Sequence, residues 1–184
     1  MIDSAETVVR PNRPWERVVV GVARDVDALD KSLVALLEQE GRLSLADTAA
    51  QSGVSRPTAA ARYRSLVADG VLRVAGLVNT FQVRGITTAL VGLSLDSFNL
   101  DEKVEQIAGL DEVSWAAVVT GRYDIIVEVV TDQGMTGLYN FLSESLGRIG
   151  GISGSEMFVV MKARNKWTLL PAGMRSAWTG HGDG

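Results

Sequence analysis

Leucines 29, 33, 36 and 37 recur at i, i+4, i+7 and i+8, the spacing that gathers side chains onto one side of an α-helix. Gly41 supplies its stop. Ser44 followed by Asp47 has the form of a capping box, with aspartate where Glu or Gln is usual, so a second, short helix is predicted from about Ser44 to just before Gly53. Ser55 can cap a third helix, Pro57 is tolerated in its first turn, and Gly70 closes it. Ala59, Tyr63, Leu66 and Val67 form the inward stripe of that third helix. Pro57, Thr58, Ala61, Arg64 and Ser65 fall on its opposite side at about 100° per residue, with Arg62 on the shoulder.

Beyond this point the pattern changes. Residues 71–83 are β-prone and lead into Gly85, which predicts a wing-like or connecting strand and a hinge. Strands are then predicted at 88–95, 113–119, 123–131 and near 155–162, with helices at 100–108 and 134–146. The order β-α-β-β-α-β is that of the ferredoxin-like split unit. Helices of such a unit cover one sheet face. The other carries Leu, Val and Ile at alternate positions, so pairing with a second copy through the bare face is expected. At the start of the chain, Pro11 and Pro14 predict an extended, flexible arm over residues 1–25. It contains the apolar run 18–23, a candidate strand without an evident partner.

Charge divides the chain in the same place. Between Gly53 and Gly76 four arginines (Arg56, Arg62, Arg64, Arg73) face one acid, Asp69, for a local net of +3. Between Gly85 and Val160 eleven acids face three bases, for −8. Affinity for phosphates follows the local field and not the overall charge of −4. Three short helices, a glycine-hinged second and third, and arginines beside small residues on the outer side of the third describe a helix-turn-helix. Its recognition helix can approach the major groove and reach bases or phosphates.

The remaining chemistry is sparse. There is no cysteine and a single histidine, His181, flanked by Gly180 and Gly182 near the C-terminus, where a solvated bystander is expected. No Ser-His-Asp set, P-loop or dinucleotide glycine pattern occurs, and Gly147, Gly150 and Gly151 form a loop between helix and strand. Neither a membrane span nor a signal peptide is evident, so a cytoplasmic protein with no membrane partner is expected.

Several segments together carry a family likeness. They are Val26-Asp27 and Asp30 opening the first helix, Gly41-Arg42-Leu43-Ser44, Ser55 through Arg62 to Leu66, Gly70-Val71, Glu112-Val113, and above all Thr120-Gly121-Arg122-Tyr123-Asp124. In this order and spacing they resemble the Lrp/AsnC, or feast/famine, transcriptional regulators over residues 26–162. The resemblance implies an α+β fold: an N-terminal winged helix-turn-helix and a C-terminal βαββαβ ferredoxin-like domain of the ACT-like (RAM) type. The implied layout is an arm at 1–25, a DNA-binding domain at 26–71, a connecting strand and hinge at 72–87, an effector-binding and oligomerisation domain at 88–165, and a tail at 166–184. Implied partners are double-stranded DNA, a small-molecule effector such as an amino acid, and further copies of the chain, as a dimer or as larger assemblies such as octamers. No cofactor, metal or catalytic residue is implied.

On that likeness the DNA-binding set is Ser44, Ser55, Arg56, Thr58, Ala61, Arg62, Arg64 and Ser65. The effector-binding set is Thr120, Gly121, Arg122, Tyr123, Asp124 and Met157. Gly121 allows a tight turn whose N–H groups can hold a carboxylate, and Asp124 can pair with an α-ammonium group. The plainer alternative is a hairpin turn with Asp124 as its cap and no ligand. Two positions depart from the family pattern. Ala59 stands where a branched residue is usual, which predicts looser helix packing; Met157 stands where a Thr is frequent, which predicts a more apolar cleft. Trp167 and Trp178 lie outside the resemblance and suit either subunit contacts or local apolar cover. Two other functions remain to be weighed: an enzyme of the siroheme-decarboxylase kind, which relies on histidines, and a sensory module that no longer binds DNA.

Overall fold

A computed structural model describes residues 23–97 and 99–179. Nearly all of the N-terminal arm, with most of the 18–23 run, and His181 lie outside the described residues. The chain separates into two compact units that part between Ala75 and Gly76.

The first unit is three helices, α1 (Ala28–Gln39), α2 (Leu45–Gln51) and α3 (Arg56–Ala68). Each begins where a side-chain oxygen accepts an otherwise orphaned N–H. Asp27 accepts from the backbone of Asp30 at 2.8 Å, Ser44 from Asp47 at 3.1 Å and Ser55 from Thr58 at 3.3 Å. Gly53, at φ 68°, makes the sharp turn between α2 and α3, a conformation that costs other residues more. Leu33, Ala49, Ala59 and Leu66 form the core, with Val26, Leu29, Val34, Val54 and Leu72 around it. Ala59, expected to loosen the packing, is fully buried.

Two expectations need correction, one in this unit and one in the segment that leaves it. Val67 does not join the inward stripe and is 39% exposed. At about 100° per residue it lies some 80° round the helix from Ala59. The chain instead turns at Gly70 and brings Leu72 onto the core, its N–H bonded to the carbonyl of Leu66 at 3.1 Å. Nor is there a wing strand over 71–83. Val71, Val74 and Leu77 are exposed, and β-prone residues without a ladder partner do not make a strand. The segment's one bridge pairs Val78 with Thr168, and a single helical turn follows at Thr80–Gln82.

The second unit has the expected βαββαβ order: β1 (Thr87–Leu95), α4 (Leu100–Ala108), β2 (Val113–Val118), β3 (Ile125–Thr131), α5 (Gly134–Asn140) running through a wide π-type turn (Phe141–Ser145) into α6 (Leu146–Ile149), and β4 (Ile152–Val159). The sheet order is β2-β3-β1-β4, antiparallel throughout. Ala89, Val91 and Leu93 of β1 and Ile125, Val127 and Val129 of β3 point to the helices. There they pack with Ile107, Leu138, Phe141 and Leu146. Successive strand residues alternate between faces, so Leu90, Gly92, Ile126, Glu128 and Val130 point the other way, onto the outer face. The tail expected from residue 166 onward is folded as far as residue 179. It contains α7 (Ala172–Trp178), which buries Met174 and bonds the Gly173 N–H to the carbonyl of Asp111 at 3.1 Å.

Candidate functional site

Arg56, Thr58, Ala61 and Arg64 of α3 are all exposed. Among the described residues, Arg56 and Arg64 have no ion-pair partner. The Ser55 and Thr58 hydroxyls lie 2.8 Å apart at the start of the helix, and Ser44 occupies the equivalent place on α2, donating to the Asp47 carboxylate at 2.6 Å. Small side chains and free arginines exposed along one helix, with Thr58, Ala61 and Arg64 on one side and Arg56 in the first turn, can approach a groove closely and meet phosphates or base edges.

The other two residues of the expected DNA-binding set are committed within the unit. Arg62 turns back onto α1, 3.0 Å from Asp27 and 3.5 Å from Asp30. The Ser65 hydroxyl accepts from Arg24 at 2.8 Å and donates to Asp69 at 3.2 Å. Arg24 also pairs with Asp69 and, at 2.7 Å, with Asp30, so one guanidinium joins the start of α1 to the end of α3. The bond to Asp69 leads the influences that raise the Arg24 pKa. The Asp27 carboxyl is held below its ordinary range, chiefly by the Asp30 N–H and then by the charge of Arg62. Sequence reading assigned Arg24 to the arm. The available signal was Asp30, a carboxylate at i relative to Leu33 and Leu37 at i+3 and i+7, which places a charge on the buried stripe.

In the second unit the motif at 120–124 closes the turn from β2 to β3. Gly121 is at φ 134°, a conformation open to glycine. Asp124 bonds the turn to β1 twice and closes the turn once. Its N–H donates to the Leu93 carbonyl at 2.9 Å, its carbonyl accepts from Val119 at 3.0 Å, and its carboxylate accepts from the Leu95 N–H at 2.8 Å. Thr120, Gly121 and Arg122 are exposed, while Tyr123 is half-buried. The Tyr123 ring lies against Gly92 on the outer face, so close that a Cβ there would sit 2.6 Å from ring carbons.

Glu156 of β4 completes the group. It accepts the Tyr123 hydroxyl and pairs with Arg122 at 3.3 Å, while the Arg122 guanidinium lies 5.5 Å from the Tyr123 ring centroid. The bond to Glu156 is the leading cause of a raised Tyr123 pKa; burial adds to it and the charge of Arg122 opposes it. Met157, expected in this cleft, is not brought to the ring. It is the register partner of Val91 and packs into the helix-side core, because neighbouring strand residues face opposite ways. Glu156 is the β4 residue at the loop, and it went unnoticed in the sequence. A cavity of about 220 Å³ also opens on the helix side, lined by Leu142, Leu146, Gly147, Gly150, Ile152 and Ser155; none of these belongs to the loop motif.

A second missed residue is Glu128, in the middle of β3 and 1% exposed. Its carboxylate accepts from Ser114 at 2.6 Å and Thr168 at 2.9 Å, and pairs with Lys166 at 2.6 Å. Burial pushes this carboxyl up, but the Lys166, Ser114 and Thr168 contacts together outweigh it and leave the pKa below the ordinary value. The signal was a lone carboxylate in the run Ile125-Ile126-Val127-Glu128-Val129-Val130.

A helix-turn-helix unit with an open arginine-bearing face, followed by a βαββαβ unit with a closed polar loop, is the build of a DNA-binding regulator carrying a ligand-binding domain. Family comparison agrees with both halves: residues 26–67 match the AsnC-type helix-turn-helix domain and residues 88–168 the Lrp/AsnC ligand binding domain. The chain belongs to the Lrp/AsnC family of transcriptional regulators. It is 30% identical over 143 residues to an uncharacterised HTH-type transcriptional regulator of Pyrococcus furiosus, covering 77% of this chain and 95% of that one. Its fold is similar to that of AsnC from E. coli (25% identity, TM-score 0.63, 80% of this chain and all of that one). It is also similar in fold to a Neisseria meningitidis transcriptional regulator solved as a complex with L-Met (19% identity, TM-score 0.63, 82% and 99%). Among the described residues, no helix is long and apolar enough to cross a membrane.

Proposed function

We propose that this chain is a sequence-specific, double-stranded-DNA-binding regulator rather than an enzyme, and that its activity is set by an amino acid or similar zwitterion held at the loop of residues 120–124. The observation that carries the DNA reading is the open face of α3, where Arg56, Thr58, Ala61 and Arg64 are exposed and, among the described residues, the two arginines have no ion-pair partner. Ser44 and Ser55, at the starts of α2 and α3, lie where phosphates are received. Arg62 and Ser65 serve by holding α3 in place.

For the effector, Arg122 and Glu156 supply the two opposite charges that an amino acid's carboxylate and ammonium groups require, with Thr120 and the N–H groups around Gly121 beside them. The L-Met complex of the Neisseria regulator supports an amino acid as the class of ligand. Asp124, whose carboxylate accepts the Leu95 N–H, shapes the loop rather than holding the ligand. A second copy would dock on the outer face. That face is apolar, and the only two charged side chains in the four strands, Glu128 and Glu156, are both neutralised by bases of the same chain. A two-fold contact sets each group against its own copy's surface, so an uncharged face suits a second copy better than a charged partner. An effector that binds one assembly state better than another then shifts DNA affinity by linkage.

A melting-temperature screen over the twenty amino acids tests the effector reading. At about one hundred times its dissociation constant, a ligand adds roughly 2.7 kcal/mol to the folded state. The expected result is an amino acid that stabilises the wild type and not Glu156→Gln. One that stabilises both equally places the site elsewhere.

A further inference from the structure

Trp115, Glu128, Leu90 and Phe158 stand side by side across the four strands, by the register of β2 on β3, β3 on β1 and β1 on β4. Two exposed aromatics therefore flank a row with a carboxylate inside it. A carboxylate on an otherwise apolar sheet face opposes pairing with another sheet, because both partners would lose water from an unpaired charge. Here the charge is covered by the chain's own C-terminal segment. Lys166 and Thr168 both reach the Glu128 carboxylate, Trp167 between them is 58% exposed, and Thr168 is bridged to Val78. Further along, α7 is anchored at Asp111 through Gly173, and Met174 is buried. Ser114 helps hold Glu128 because the β2–β3 register shifts between Val113 and Trp115, leaving Ser114 as the extra residue beside it.

We propose that residues 166–178 form a strap whose Lys166 neutralises Glu128, and that this neutralisation makes the outer face able to pair with a second copy. With the strap down, a partner meets Trp167, Trp115, Leu90, Ile126 and Phe158. With Lys166 withdrawn, it meets an uncompensated carboxylate in the middle of that surface. Lys166 is thus a positioning residue for assembly, lying in the segment that ends the family match at residue 168. The inference rests on the outer face being the pairing face.

Sedimentation equilibrium of the full chain tests it, using wild type, Lys166→Ala, Glu128→Gln and the double variant, with circular dichroism confirming the fold of each. Lys166→Met, which keeps the apolar stem, replaces Lys166→Ala if that variant does not fold. The expected result is a weakening of self-association by about tenfold or more in Lys166→Ala. Removing the carboxylate as well should restore it to within about threefold of wild type. Tryptic cleavage after Arg164 should quicken in Lys166→Ala, reporting release of the strap. Unchanged association in Lys166→Ala overturns the inference and leaves the pairing reading standing. A double variant as weak as Lys166→Ala also overturns it, because the strap then acts by packing and not by charge. A wild type that stays monomeric at every concentration overturns the pairing reading itself, and the inference with it.

Discussion

The ring of Tyr123 occupies the place where any side chain at Gly92 would go, with 2.6 Å between a built Cβ and the ring carbons. The sheet therefore admits the tyrosine only because β1 carries glycine at that register position. Gly92→Ala should push the ring off the outer face and break its bond to Glu156. The expected cost is about 1–3 kcal/mol, as for other overpacked sites, read from urea denaturation. Response to the effector should fall in parallel.

Asp124 is expected to be structural. Its carboxylate accepts the Leu95 N–H at 2.8 Å, and charge-assisted bonds of this kind contribute about 1.5–3 kcal/mol. Asp124→Ala should lose roughly that amount in denaturant unfolding. Asp124→Asn keeps an acceptor oxygen and should lose less than half as much. A variant Asp124→Ala as stable as wild type, yet unresponsive to the effector, would return this residue to direct ligand contact.

Glu128 sets a pH dependence whose sign follows from its lowered pKa. A carboxyl with a folded-state value below its unfolded one, near 4.3, stabilises fully above the unfolded value and loses that contribution as pH falls through the folded one. Wild type should thus exceed Glu128→Gln in stability at neutral pH, and the gap should close on acidification below about pH 4. Paired denaturation curves at pH 7, 5 and 3.5 check this. A gap that widens in acid contradicts the assignment.

Most of the architecture was legible in the sequence. The α1 stripe, the Ser44 and Ser55 caps, and α4 at residues 100–108 are local features, and local chemistry determines them. The missed features depend on contacts distant in sequence. Nothing near Val71 shows that a β-prone segment lacks a ladder partner, and Arg24 reaches Ser65 and Asp69 across 41 and 45 residues. For the loop, the motif at 120–124 was readable but its β4 neighbour was not. Choosing Met157 over Glu156 is a one-residue matter of which face a strand residue takes, and that is fixed only once β4 is registered on β1.

Arg62 and Arg64 should separate cleanly, although they sit two residues apart. Arg62→Ala removes the partner of Asp27 and the nearest cation on the Arg62 side of buried Asp30, so it should lower the stability of the first unit. The loss is expected at about 1–3 kcal/mol, because the buried Asp30 Oδ1, which accepts no hydrogen bond, also loses the guanidinium 3.5 Å away. Arg64→Ala should leave stability within about 0.5 kcal/mol of wild type and weaken DNA binding. Thermal unfolding and fluorescence anisotropy on a labelled duplex distinguish the two.

DNA recognition rests on the open face of α3 meeting phosphate, and the salt dependence of binding reports that contact. Wild type and an Arg56→Ala/Arg64→Ala variant would be titrated onto the same duplex from about 50 to 200 mM salt. Each lost phosphate contact removes about 0.9 from the slope of log K against log salt. The expected result is a slope shallower by nearly two units and weaker binding at every salt concentration. Equal slopes and equal affinities for the two proteins would mean that these arginines do not meet phosphate.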